Sequence, residues 1–239
     1  MNRENFIEEI KKLGLNINDT ILNQLDIYYK FLIEYNAHTN LTTITQEEDV
    51  YLKHFYDSLT ICNYLDLNQI NNVIDIGTGA GFPGVVIKIF FPHLNLTLLD
   101  SNHKKTDFLT ELVQKLNLKN VEIINDRAEN FAKVKLNYYD LCLSRSVAFI
   151  DIICELGLPF IKQNGQLVLL KGDFEDEEKI LQRYQHELNI GSYKTHPFYL
   201  YNNQEKRTIV IVSKKSPTVK INDYSKIIKR SKFWRNSLK

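Results

Sequence analysis

Asn72-Val73-Ile74-Asp75-Ile76-Gly77-Thr78-Gly79-Ala80-Gly81-Phe82-Pro83-Gly84 is the stretch on which the fold turns. Val73 to Ile76 is an apolar run of strand length, and it stops at a cluster of glycines. Pro83 stands just ahead of Val85, Val86, Ile87, Ile89 and Phe90, as proline does in the first turn of a helix. Four of the chain's nine glycines fall between Gly77 and Gly84, more than a plain connection requires. A strand, a glycine turn and a helix start together make a nucleotide-type pocket, where backbone can approach a ligand with no Cβ in the way.

On the C-terminal side of this stretch, apolar runs alternate with helical patterns. Strands are predicted at Val73–Ile76, Leu96–Leu99, Val121–Ile124, Asp140–Leu143 and Gln166–Leu170. Helices are predicted at Pro83–Phe91, Lys104–Leu116, Ala128–Phe131, Ile150–Phe160 and Asp176–Leu188. Repeated strand–helix units imply an α/β fold with a parallel sheet and helices on both faces. Pro197–Tyr201 and Arg207–Val212, around Asn202-Asn203, read as a closing antiparallel hairpin, bringing the strands to seven. On the N-terminal side the chain reads as helical. Ile21, Leu22, Leu25, Tyr28, Tyr29, Leu32 and Ile33 follow a cap at Asn18. After a polar break from Ala37 to Thr45, Tyr51, Phe55, Leu59 and Cys62 share the face of another helix. The chain thus divides into an N-terminal helical cap (1–68), an α/β domain (69–215) and a basic tail (216–239).

The totals narrow the class of protein. A chain of 239 residues with 44% hydrophobic and 25% charged residues can build a sizeable core without staples. The polar start Met1-Asn2-Arg3-Glu4-Asn5 lacks the apolar run of a signal peptide, and Lys88 interrupts the best candidate for a membrane span. Cys62, Cys142 and Cys154 are scattered, which suits a reducing cytoplasm and gives no metal site. The net charge of +1 hides a division: nine Lys or Arg against Asp223 make +8 from Lys214 onward, leaving −7 for the rest. Such a tail suits a polyanionic partner, nucleic acid above all.

Read literally, Gly79-Ala80-Gly81-Phe82-Pro83-Gly84 is the G-x-G-x-x-G of dinucleotide sites, with Asp100 at the end of the second strand to accept from ribose hydroxyls. Asp100 suits nicotinamide dinucleotides and S-adenosyl-L-methionine equally. Three features favour the latter. Asp75 in the phrase Asp75-x-Gly77-x-Gly79-x-Gly81 places a carboxylate near a sulfonium-bearing amino acid, where a pyrophosphate would be repelled. The third strand ends in Asn125-Asp126-Arg127-Ala128-Glu129, a polar loop placed to meet an adenine. The closing hairpin is the third feature, typical of Rossmann-like class I methyltransferases.

In combination, several phrases make the chain resemble the bacterial RsmG (GidB) methyltransferases from about Tyr35 to Val212. They are Asn40-Leu41-Thr42, His54-x-x-Asp57-Ser58-Leu59, the glycine stretch, Arg127-Ala128-Glu129, Ser144-Arg145-Ser146-Val147-Ala148 and Leu170-Lys171-Gly172. The resemblance implies a Rossmann-like class I S-adenosyl-L-methionine-dependent fold with a mostly parallel seven-stranded sheet. It implies methyl transfer to guanine N7 in 16S rRNA, at the 530-loop guanine, within the small subunit or its precursor, by a monomeric cytoplasmic enzyme. By position, Gly77 and Phe82 would line the methionine and adenosine side of the cofactor, Ala128 and Glu129 the adenine, and Arg145 the mouth of the pocket. With Asp100 from the ribose argument, these six form the expected cofactor set. Ser146 stands where the family more often has alanine.

Guanine N7 carries an in-plane lone pair and no proton in the neutral base, so no nucleophile or acid–base residue is assigned. Cys142 lies inside an apolar strand and is no candidate for a C5-methylation nucleophile. Leu143-Ser144-Arg145-Ser146 replaces the Asn/Asp-Pro-Pro-aromatic phrase of exocyclic amine methylation. Lys171, Arg207 and the tail are expected to follow RNA phosphates, while Arg145 can stack on a splayed base. His54 and Asp57, three apart on a helix, can face each other and either anchor the helical cap or touch RNA. Two rival classes stay open here: a nicotinamide-dependent oxidoreductase and a non-catalytic ribosome-assembly factor.

Overall fold

The computed structural model describes residues 1–203, 205–217 and 221–237. Asn2 and Asn18 open α1 (Arg3–Lys12) and α2 (Asp19–Thr39), each side chain accepting from the amide three residues on. The helix expected from Gln46 is broken into α3 (Glu47–Val50), a wider π turn (Tyr51–Tyr56) and α4 (Asp57–Leu59). Tyr51, Phe55 and Leu59 remain buried, as their spacing predicts, while Cys62 is half-buried.

The alternating part follows as β1 (Asn72–Ile76), α5 (Gly84–Phe90), β2 (Asn95–Asp100), α6 (His103–Lys115), β3 (Val121–Asn125) and α7 (Ala128–Phe131). Then come β4 (Tyr139–Arg145), α8 (Ile150–Gly157), β5 (Ile161–Lys171), α9 (Glu175–Tyr184), β6 (Ile190–Tyr199) and β7 (Lys206–Lys214). The strands form one seven-stranded sheet in the order β3-β2-β1-β4-β5-β7-β6, with β7 antiparallel to both β5 and β6. All five expected parallel strands and the closing hairpin are present. β6 begins seven residues before Pro197 because it is the edge strand, and its half-exposed, polar side chains carry no apolar signal.

Period-two alternation sorts the sheet between two cores. Val73, Leu98, Leu141, Leu143, Val168, Leu170, Ile209 and Ile211 point to the face shared with α1, α2, α5 and α6. Ile74, Ile76, Cys142, Leu167, Leu169, Val210 and Val212 point to the face covered by α7, α8 and α9. The N-terminal helices have no core apart from the sheet's. Phe31 of α2 stacks on Phe108 of α6 at 5.2 Å, and Tyr28 on Phe82 at 5.1 Å.

The basic C-terminal stretch is not a free tail over its described part. It forms α10 (Tyr224–Asn236), with Ile227 and Trp234 buried in the second core and Trp234 stacked on Tyr184 at 4.5 Å. Apolar side chains every seven residues drive this docking, and the charge count concealed them. Lys214, counted with that charge, is buried, and its Nζ donates to the Asn137 side chain and the Ile161 carbonyl. Residues 218–220 and 238–239 of the stretch lie outside the described residues. Among the described residues no helix is long and apolar enough to cross a membrane. Lys88 is buried too, donating to the Pro92 and Leu94 carbonyls beyond its helix.

Candidate active site

The strand order reverses between β1 and β4, and open α/β sheets bind ligands beyond the strand ends at such a point. There the glycine turn leaves β1. Gly77, Gly79 and Gly81 all have positive φ (64°, 61° and 96°), a region that side chains disfavour. A Cβ on Gly77 would lie 2.5 Å from Val147 Cγ2, and one on Gly81 would lie 2.7 Å from the Tyr28 hydroxyl oxygen.

Two carboxylates and a phenol hold the turn. Asp75 is fully buried, and its Oδ2 accepts from Thr78 Oγ1 at 2.7 Å and from the Gly84 amide at 2.9 Å. Its other oxygen has no partner among the described residues. Burial pushes the carboxyl up to about 7, against the pull of those two donors. Asp75 is therefore not the sulfonium partner expected from the sequence. It faces inward because the unpaired donors around the start of α5 need an acceptor more than a solvated pocket does. Asp100 braces the turn from outside, accepting from the Gly79 amide at 3.0 Å and the Asn102 amide at 2.9 Å. Tyr28 of α2 donates to the Ala80 carbonyl at 2.5 Å.

A cavity of about 340 Å³ lies against the turn, with Gly77, Asp100, Ser101, Lys105, Ala128 and Glu129 among its lining residues. Four of the six residues expected for the cofactor thus share one cavity: Gly77, Asp100, Ala128 and Glu129. Phe82 and Arg145 do not line it. The Phe82 ring is buried, stacked on His54 at 4.3 Å and on Tyr28 at 5.1 Å, because a phenyl ring gains more from the core than from a polar cavity.

Arg145 closes β4 and opens onto a second cavity of about 310 Å³, with Lys53, His54, Asp57, Lys171 and Arg207. Its guanidinium donates to the Lys53 carbonyl at 2.7 Å, to Asp57 Oδ2 at 3.3 Å and to His54 Nδ1 at 2.8 Å. A guanidinium only donates, so His54 Nδ1 accepts and the ring's Nε2–H points to Thr42 Oγ1 at 3.0 Å. Burial first, then the nearby Arg145 charge, lowers the His54 pKa to about 3, which keeps the ring neutral. Desolvation also raises the Asp57 carboxyl, against both Arg145 and Arg207, whose Nε lies 3.3 Å away. The motif residues Thr42, His54, Asp57 and Arg145 form one network, in which Arg145 has Asp57 as its carboxylate partner.

Lys171, expected on RNA, instead donates to Glu177 at 2.7 Å and to the Ala148 carbonyl at 2.6 Å. Arg207 pairs with Glu205 at 2.6 Å as well as with Asp57. Cations facing an acidic body find carboxylates at home, and their sequence positions do not reveal this. Ser146, at φ 54°, is the residue common to the two cavities, a left-handed non-glycine conformation that marks their junction. Tyr28 and Tyr224 were missed as site residues. Tyr28 sits on a core periodicity, and Tyr224 sits in a run read only for charge.

A family model described as rRNA small subunit methyltransferase G matches residues 21–209. Ribosomal RNA small subunit methyltransferase G of Oceanobacillus iheyensis is 41% identical over 223 residues, covering 92% of this chain and 94% of that protein. The protein of the same name from Mesoplasma florum is 49% identical over 166 residues, 70% of each chain. Among solved structures, a Klebsiella pneumoniae protein assigned to the O-methyltransferases superposes with a TM-score of 0.55 at 11% identity, over 87% of this chain and 94% of that one. The mitomycin 7-O-methyltransferase MmcR gives 0.51 at 16% identity, over 66% and 53%. The last two are alike in fold alone.

Proposed function

The chain belongs to the rRNA small subunit methyltransferase G family, and on that premise we propose that it methylates N7 of the 530-loop guanine of 16S rRNA. Membership makes it an rRNA methyltransferase that uses S-adenosyl-L-methionine. The finer reading adds the N7 atom, the small subunit or its precursor as the substrate particle, and a monomer working in the cytoplasm. The observation that supports it is the pair of cavities meeting at Ser146, one under the glycine turn and one around Arg145.

The first cavity suits the methyl donor by the chemistry of its wall. Gly77 takes the left-handed bend at the cavity wall, where a Cβ would collide with Val147, and Asp100 offers carboxylate oxygens to a ribose diol. Ala128 and Glu129 would border the adenine. When bound, S-adenosyl-L-methionine supplies a sulfonium-activated methyl carbon that the N7 lone pair can attack directly. The protein's residues then have only to position and desolvate. Thr78, Gly84 and Gly79, tied to Asp75 and Asp100, fix the turn that holds one partner. His54 and Asp57 fix the Arg145 guanidinium plane, against which the splayed guanine would stack. Holding two reactants in register accelerates their reaction with no proton transfer, so no acid–base residue is needed. His54, held neutral with both ring nitrogens engaged, fits a positioning role.

Undermethylated small subunits incubated with labelled S-adenosyl-L-methionine should take up label. Borohydride and aniline should then cut their RNA at the modified guanine. Label in RNA that survives this treatment intact would refute N7 as the target atom.

The basic helix supplies a second expectation. Lys229 and Lys232 are exposed on α10. Replacing both with glutamate should weaken RNA binding and reduce the slope of log K against log salt by about one to two, the loss of that many phosphate contacts. An unaltered slope would remove α10 from the RNA interface. Deleting 216–239 is a poorer test, because it would also strip Ile227 and Trp234 from the core.

A further inference from the structure

Tyr224, the first residue of α10, lines the cavity under the glycine turn, more than a hundred residues along the chain from β2 and the turn itself. It is the cavity's one aromatic lining residue among the described residues. Phe82, the aromatic side chain expected there, is spent on Tyr28 and His54 in the core. Around Tyr224 the wall carries Asp126, Arg127, Ala128 and Glu129, the loop after β3.

One face of the Tyr224 ring is covered. The Arg127 guanidinium carbon lies 4.4 Å from the ring centroid, and Arg127 Nε is itself tied to Glu129 at 2.5 Å. A ring has two faces, and this cation occupies one of them. The helix bearing the ring is anchored elsewhere: Arg230 Nε donates to Glu155 at 3.2 Å, and Asn222 donates to the same carboxylate at 3.0 Å. Ile227 and Trp234 bury the rest of its apolar stripe. None of these anchors uses Tyr224, which stays 37% exposed. A large aromatic side chain that is fixed in place, half open, and set in a cavity wall is a stacking surface for a flat ligand.

We propose that Tyr224 of the C-terminal helix is a cofactor-binding residue, its ring stacking on the adenine of S-adenosyl-L-methionine. The assignment rests on the reading of this cavity as the methyl-donor site. It gives the basic C-terminal helix two jobs, with phosphate-facing lysines on one side and a wall of the cofactor cavity at its start.

Calorimetric titration of the full chain with S-adenosyl-L-homocysteine tests it. Tyr224→Ala should bind about tenfold more weakly than the wild type, the typical loss when one base–aromatic stack is removed. Tyr224→Phe, which keeps the ring, should bind within about twofold of the wild type. The chain's one tryptophan, Trp234, packs on Tyr184 at the other end of α10, so its emission reports whether the helix remains docked. Unchanged emission with weakened binding supports the proposal. Equal binding by wild type and Tyr224→Ala overturns it, and so does weakened binding with a red-shifted emission, which would make Tyr224 an anchor of the helix. A wild type that does not bind the thioether at all would instead overturn the cofactor reading of the cavity, and this proposal with it.

Discussion

Arg145→Ala should cost about 3–5 kcal/mol of folding stability and abolish methyl transfer, the first because it strips one partner from a buried ion pair. The Arg145 and Asp57 side chains are 12% and 4% exposed, so water screens the pair little. After truncation Asp57 would keep only Arg207, and the Lys53 carbonyl and His54 Nδ1 would lose their donor. Since a domain of this kind is stable by only about 5–15 kcal/mol, the loss is a large share. Adding Asp57→Asn should recover part of it, by removing the stranded charge, without restoring activity. Arg145→Lys keeps a charge, yet a single nitrogen cannot stand in both places from which Nη1 reaches the Lys53 carbonyl and Asp57 and Nη2 reaches His54, so activity should still fall. Urea unfolding of the variants is the measurement. An Arg145→Ala protein within about 1 kcal/mol of the wild type would show that the network contributes no such stability.

Two buried groups should give stability opposite dependences on pH, largely hidden in the wild type. His54 has a folded pKa near 3 against an ordinary value of 6.5. Between those values the unfolded chain binds a proton that the folded one refuses, so this term is full above pH 6.5 and shrinks as pH falls toward 3. Asp75 is raised from 3.8 to about 7. There the folded chain holds the extra proton, so its term is most favourable below pH 3.8 and shrinks as pH rises toward 7. From about pH 4 to 6.5 the two slopes have opposite sign and similar size, up to about 1.4 kcal/mol per pH unit each. Asp75→Asn should therefore make the slope of stability against pH more positive than the wild type's by about that amount, and His54→Asn should make it more negative. Other titrating groups are common to all three proteins and drop out of the differences. Parallel curves for the three from pH 4 to 6.5 would mean that neither group titrates as its burial implies.

Most of the scaffold was legible along the chain, because local pattern generates it. The apolar runs at Val73, Leu96, Val121, Asp140 and Gln166 became β1 to β5, and Asn18 capped α2 as its position suggested. β6 was half seen, since an edge strand faces water and need not alternate cleanly. Gly77, Asp100, Ala128 and Glu129 could be brought to one cavity in advance because each sits where a parallel strand ends. Asp75 and Lys171 were assigned to ligands, whereas Thr78, Gly84 and Glu177 engage their side chains within the protein.

By itself the sequence determined the five parallel strands, the helices that alternate with them, and a tight backbone turn at the glycines from Gly77 to Gly84, because those outcomes depend on neighbours in the chain. The tertiary structure alone decided where each charge and ring is spent. Arg145 meets Asp57 across 88 residues, Tyr28 reaches Ala80 across 52, and Tyr224 joins a cavity built by β1 and β2. A carboxylate, a guanidinium or an aromatic ring can satisfy itself equally well in several ways, and only the folded arrangement brings one partner within reach.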